Sequence, residues 1–471
     1  PASLKELKEG WCCCIKHLTK IVISPMNDQF KIQDDKYLVG KSDPNKDEFD
    51  KLLFAYRDIK EISIPSNIKI ISSFAFEYCE NLKKVEIPTN SNLQTIKENA
   101  FSKTKIEEIF IPSKVSKICE NAFSDCENLR KVSIPPNSNL ETIESGVFYN
   151  TKIEEIYFPS SLKELKEGWC FGTDKLTKII ISPSNGQFKF IDDQYLIGKS
   201  DSNDEEFDTL LFGSRTIKEI SIPSNIKIIS SYAFYNCENL VKVLISPNSN
   251  LKTIESGAFY NTQIEEIFIP SKVSKICEDA FYDCENLTKV SIPPNSNLEI
   301  IESSAFRDTK IEEIFIPSKV SKICENAFSD CENLRKVSIP PNSNLETIES
   351  GVFYNTKIEE IYFPSSLKEL KEGWCFGTDK LTKIIISPSN GQFKFIDDQY
   401  LIGKSDSNDE EFDTLLFGSR TIKEISIPSN IKIISSYAFY NCANLVKVLI
   451  SPNSNLKTIE SGAFCNTQIE E

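Results

Sequence analysis

Few residues in this chain could carry catalytic or ligand chemistry. Histidine occurs once, as His17, among 471 residues. A Ser-His or Cys-His relay would therefore depend on one side chain, and a histidine metal cluster cannot form. Two related segments hold Lys175 and Lys380 where the first holds His17, so the position reads as a solvated one beside a strand. Cysteine is more plentiful, at 15 residues. Six of these (Cys79, Cys126, Cys237, Cys284, Cys331 and Cys442) share one slot after Ala-Phe-x-x, where cysteine behaves as a small apolar side chain. Cys119, Cys277 and Cys324 share a second slot, seven residues earlier. Threonine fills the first slot in intervening units, which sets most slot cysteines about 10 Å apart, beyond the ~7 Å reach of a disulfide. Reduced, packed thiols are the expectation. No paired zinc-knuckle spacing occurs, and the run Cys12-Cys13-Cys14 is not read as a metal motif, because three adjacent side chains cannot all face one ion.

Carboxylates cluster in two other ways. Asp43, Asn45 and Asp47, and likewise Asp201, Asn203 and Glu205, offer oxygens at alternate positions, as calcium loops do. The turn glycine and the distant bidentate glutamate are missing, so these read as solvated acidic loops. Glutamate pairs such as Glu154-Glu155 are the residue type of glycoside hydrolysis, yet they recur in every second unit and an active site occurs once. Glycine numbers only 16, and neither a phosphate loop nor a dinucleotide fingerprint is present. The reading is therefore no catalytic residue, no cofactor, no metal and no enzyme. A formal charge of −15 repels phosphate backbones and argues against a nucleic-acid partner. No apolar run approaches the ~20 residues that cross a bilayer, so this segment is not expected to insert into a membrane.

The elements that position these residues follow from repetition. Residues 104–266 recur as 309–471, an offset of 205, with Glu238 replaced by Ala443 and Tyr260 by Cys465. The segment Leu4–Trp11 recurs as Leu162–Trp169. Pro270, Pro317 and Pro364 mark a period of 47, which Pro293 and Pro340 divide into 23 and 24. Within one unit, Leu129, Val132 and Ile134 alternate into a short half-buried strand that Pro135 ends. The Gly-Val-Phe148 segment on the return side predicts a tight helical or 3-10 turn. A unit of two dozen residues cannot bury its own apolar face, and stacking in register does. Landmark phenylalanines and three tryptophan units (Trp11, Trp169, Trp374) give about 14 coils of 22–25 residues. The expected fold is one repeat solenoid over 1–471, a horseshoe or elongated superhelix with a parallel sheet on one face and helical turns on the other. Longer segments near 25–57, 183–215 and 388–420 each carry two apolar runs around an acidic loop, and are expected to project as β-hairpins. Pro1 and Glu471 fall inside the pattern with no capping coil, so the segment is expected to be internal to a longer protein.

The run Ala-Phe-x-x-Cys-x-Asn-Leu-x-x-Val-x-Ile-Pro, as in Ala122–Pro135 and Ala327–Pro340, resembles the BspA-like class of leucine-rich repeats. Thr151, Thr262, Thr309 and Thr356 depart from it by replacing cysteine. The resemblance implies a cell-surface or secreted protein of bacterial or protozoan type that adheres to host-cell or matrix proteins, and it supplies no catalytic residue. An intracellular scaffold is the alternative, because unpaired cysteines suit a reducing compartment. Strand alternation turns Phe110, Tyr157, Phe268, Phe315 and Tyr362 outward among serines, the candidate protein-binding strip. Glu108, Glu155, Glu266, Glu313 and Glu360 beside them predict an acidic background that favours basic partners.

Overall fold

The computed structural model describes residues 1–470 apart from 202 and 407–409, so the tip of the third long segment lies outside the described residues. The chain divides into two compact units, Pro1–Ile217 with Ser230–Cys237, and Lys218–Ile229 with Glu238–Glu471. Each is a β-solenoid, and no helix occurs among the described residues. Each turn contributes one strand to a front column and one to a back column. In the first unit the front strands Glu108–Phe110, Lys131–Ser133, Glu155–Phe158 and Lys178–Ile181 form one sheet. Back strands such as Thr95–Ile96, Lys117–Ile118 and Thr142–Ile143 are two residues long and pair in parallel. The second unit repeats this with front strands from Glu266–Phe268 to Lys383–Ile386 and back strands from Ile228–Ile229 to Glu369–Leu370.

Alternation builds the core. Ile109 and Ile111 are buried while Phe110 between them is half-buried on the outer face. Landmark phenylalanines stack inside as a column. Phe76, Phe101, Phe123 and Phe148 have successive ring centroids 4.7, 5.3 and 5.9 Å apart. Trp169 ends that column edge-on to Phe148 at 6.3 Å. Stacking of this kind adds roughly 0.5–1.5 kcal/mol per pair beyond area burial.

The return side is not helical. Asn121 and Asp125 flank Phe123 with φ of 55° and 57°, and Gly146 and Asn150 flank Phe148 with φ of 63° and 52°. Left-handed residues at both ends stop a right-handed helix from propagating. The freed N–H groups of Asn121, Phe123 and Asp125 instead donate to the carbonyls of Ser145, Val147 and Tyr149 in the next turn, at 2.9–3.0 Å. A third inter-turn ladder thus replaces the expected helical turn. At Gly146 a Cβ would lie 2.2 Å from Asn121 Oδ1, so a side chain there would make Asn121 move.

The long segments also differ from projecting hairpins. Phe30–Gln33, Tyr37–Gly40 and Lys51–Ala55 form an antiparallel meander, and the last strand pairs in parallel with the back strand Ile70–Ile71. Each meander therefore ends as the back strand of its own turn. Such turns lack the Ala-Phe landmark, which is why the structure holds about 18 turns where the landmarks give about 14.

Front-strand spacing sets how tightly neighbouring strands pair. Where strand starts are 23 residues apart, as from Glu108 to Lys131, three residues pair in register. Where they are 24 apart, as from Lys131 to Glu155, Lys289 to Glu313 or Lys336 to Glu360, only one pair forms. The extra residue opens a seam at every second junction.

Candidate functional site

The seams hold the grooves of the front face. One groove has Ser133 as its floor, Phe110 and Tyr157 as its rims, and Lys131 and Glu155 at one end. A second repeats it with Ser338, Phe315, Tyr362, Lys336 and Glu360. A third lies between Lys289–Ser291 and Glu313–Phe315, with Phe315 in its wall and Phe268 outside it. Phe268 sits in the same outward row, opposite Ser291. The structure therefore places all five aromatics half-buried on the outer face, four of them on groove rims. Ile180 and Ile385, each 38% exposed, extend the row beyond Tyr157 and Tyr362.

The expected acidic background is not what surrounds them. Lysines of the next strand pair with four of the five glutamates, among them Lys178–Glu155 at 3.1 Å, Lys336–Glu313 at 3.6 Å and Lys383–Glu360 at 3.0 Å. Serial alternation of Glu-Glu with Arg-Lys or Thr-Lys along the strand starts produces this, and the pairs are exposed enough to contribute little stability. Each groove is bounded by both signs of charge.

The other candidates separate. His17 is exposed on the loop after Trp11. Cys126 Sγ donates to Phe101 O at 3.1 Å and lies 3.2 Å from Thr104 Oγ1, and burial pushes its thiol up to about 12. Cysteine and threonine thus alternate in one buried hydrogen-bonded column. Cys277 is buried, while Cys119 and Cys324 are half-buried. In the acidic loops, Asp43 Oδ1 accepts the Asn45 N–H at 3.0 Å and Asp201 Oδ1 that of Asn203 at 2.9 Å, so these oxygens shape their own turns.

Sequence reasoning passed over Asp50 and Arg57, and it read the cysteine run without the carboxylate beside it. Asp50, 2% exposed, accepts the Ser42 N–H at 2.9 Å, the Ser42 hydroxyl at 2.8 Å and the Lys69 ammonium at 3.0 Å. Burial alone would raise its carboxyl, and these donors outweigh burial and hold it below its ordinary value. Arg57 is buried and donates to the carbonyls of Ile15 at 2.8 Å, Ala75 at 2.9 Å and Phe74 at 3.2 Å. The cysteine run splits. Cys12 enters the core, whereas Cys13 and Cys14 are exposed with Sγ atoms 3.3 Å apart, beside Glu77. Their shared hydrogen bond, with some burial, pushes Cys13 up to about 11. The recurring Ser-to-Asp spacing of eight residues was the available signal for Asp50; nothing local marked Arg57, or Glu77 as the neighbour of the cysteine run.

A stack of parallel turns that presents one periodic face defines a solenoid repeat protein. The chain belongs to the BspA type leucine rich repeat region family, whose pattern matches in six copies across residues 47–185, 205–335, 299–401 and 407–471. Among solved structures, a leucine-rich repeat protein from Eubacterium ventriosum is similar at 20% identity and TM-score 0.52, over 73% of this chain and 92% of its own. The pneumococcal vaccine antigen PcpA is similar at 19% identity and TM-score 0.50, over 90% of this chain and 99% of its own. At these identities the likeness shows the fold alone. Comparison with curated proteins gives no match. No helix among the described residues is long and apolar enough to cross a membrane.

Proposed function

We propose that this chain is a non-enzymatic, protein-binding repeat protein of the cell surface, an adhesin that holds a host-cell or matrix protein on its front face. The observation that carries this reading is the half-buried aromatic row, with Phe110, Tyr157, Phe315 and Tyr362 rimming serine-floored grooves. Aromatic side chains are enriched in the cores of protein interfaces, where a few anchors carry most of the binding energy. Mixed charge at each groove end fits a partner segment that carries both signs. The surface location rests on the resemblance to BspA-type repeats. Replacing Phe110, Tyr157, Phe268, Phe315 and Tyr362 together by serine should abolish binding to host cells or matrix while leaving circular dichroism and melting nearly unchanged. Binding that survives, but is lost on deleting a meander loop, would move the site to the long segments.

A second reading, an intracellular interaction scaffold, draws on the thiol column of Cys126, Cys284 and Cys331, all fully buried, because such unpaired thiols suit a reducing compartment. Antibody or protease access on intact cells separates the two.

A further inference from the structure

Three turns carry tryptophan, and the first departs from the other two at one place. In the second, Phe171 stacks on Tyr232 at 4.7 Å and meets Tyr235 edge-on at 5.6 Å. In the third, Phe376 meets Tyr437 and Tyr440 at 4.8 and 5.6 Å. Gly172 and Gly377 follow with φ of +70° and +73°. In the first turn, Cys13, Cys14 and Glu77 stand where the others have phenylalanine, glycine and the second tyrosine. An aromatic cluster has become two thiols and a carboxylate.

The replacement is not passive. Cys14 keeps a φ of 60°, a conformation that glycine adopts freely and that a residue with a Cβ adopts at a cost. Glu77 is only 5% exposed, and a carboxylate that is so far buried needs partners. Its Oε2 accepts the Cys14 N–H at 2.9 Å. The two sulfurs and a carboxylate oxygen lie within 4.8 Å of one another. Both thiols face water, so an ion can enter.

We propose that Cys13, Cys14 and Glu77 bind a thiophilic divalent cation of the zinc or cadmium class. Two thiolates and one carboxylate match the sulfur and oxygen donors such d10 ions take, and water completes the tetrahedron. On binding, each thiol releases its proton to solvent and forms a sulfur–metal bond, with no change of oxidation state. The ion would tie the first tryptophan turn to the turn of Phe76, across 63 residues of sequence.

Titrating the reduced full chain with Cd2+ should raise the ultraviolet thiolate-to-cadmium charge-transfer band to saturation at one equivalent. Replacing Cys13 and Cys14 by serine should remove the band, and Glu77→Gln should weaken the affinity about tenfold or more. Zn2+ should shield Cys13 and Cys14 from alkylation while the third exposed thiol, Cys465, stays reactive. A band that persists in the double serine variant would overturn the proposal, as would equal alkylation of all three thiols with and without Zn2+. Should Glu77→Gln not fold, the alkylation pattern of the unaltered chain decides.

Discussion

Phe123 and Phe328 are fully buried and stack between neighbours on both sides. Replacing either by alanine should cost about 3–5 kcal/mol, measured by urea unfolding; wild-type stability would show that the register of the turns is misassigned. Asp50 gives a pH dependence. Its folded carboxyl is held below the ordinary value, and an unfolded aspartate titrates near ~3.9. The stabilisation is therefore complete above about pH 3.9 and is lost as pH falls through the lower folded value. Amide exchange at Ser42 should accelerate over that acidic window, and Asp50→Asn should flatten the dependence. Single residues were legible in the sequence where a repeat multiplied them, as with the landmark phenylalanines. They were not legible where one copy stood alone: Glu77 meets Cys14 only because the fold brings positions 63 apart together.

The element scale shows both sides of this. Leu129, Val132 and Ile134 announced their strand, because alternation is local and the pleat has a period of two. The return side misled because Gly-Val-Phe148 has helical composition, whereas its backbone bonds go to another turn and depend on left-handed Asn121 and Asp125. The seams were countable in the sequence as 23 against 24, but the count has meaning only once the strands lie side by side. Their physical signature is already visible: Ile111, Ile269 and Ile316 are 0% exposed, and Ile134, Ile292 and Ile339 at the seams are 7% exposed. Ile111, Ile269 and Ile316 also donate to Ser133, Ser291 and Ser338 at 2.9 Å. Hydrogen exchange should find these three amides protected and those of Ile134, Ile292 and Ile339 faster by at least tenfold. Equal protection would mean that the seams are closed in solution.

For the whole molecule, the groove at Phe110 and Tyr157 and the groove at Phe315 and Tyr362 are built from the same residues, 205 positions apart. On a surface coated with many copies of the partner each groove can hold its own copy, and avidity then exceeds either contact alone. Serine at Phe110 and Tyr157 only should speed dissociation from a densely coated surface by about 10²-fold, while leaving dissociation from a sparse one nearly unchanged. Binding-sensor traces at two coating densities distinguish these cases. Because lysines pair with four of the five glutamates beside the aromatic row, binding should change little with ionic strength, even though the chain carries −15 overall. Steep salt dependence would place the contact elsewhere.

The alternation of closed junctions and seams has a consequence for heredity. Adding one turn would set two seams, or two closed junctions, next to each other, whereas adding an even number preserves the rhythm. The 205-residue block comprises eight turns, and it rejoins its own copy in phase. Unequal recombination within such a gene is therefore filtered by geometry: alleles that persist should differ in length by whole, even numbers of turns. Sequencing the locus across a population would read this as a ladder of discrete lengths, with 47 residues, one closed junction plus one seam, as its smallest rung.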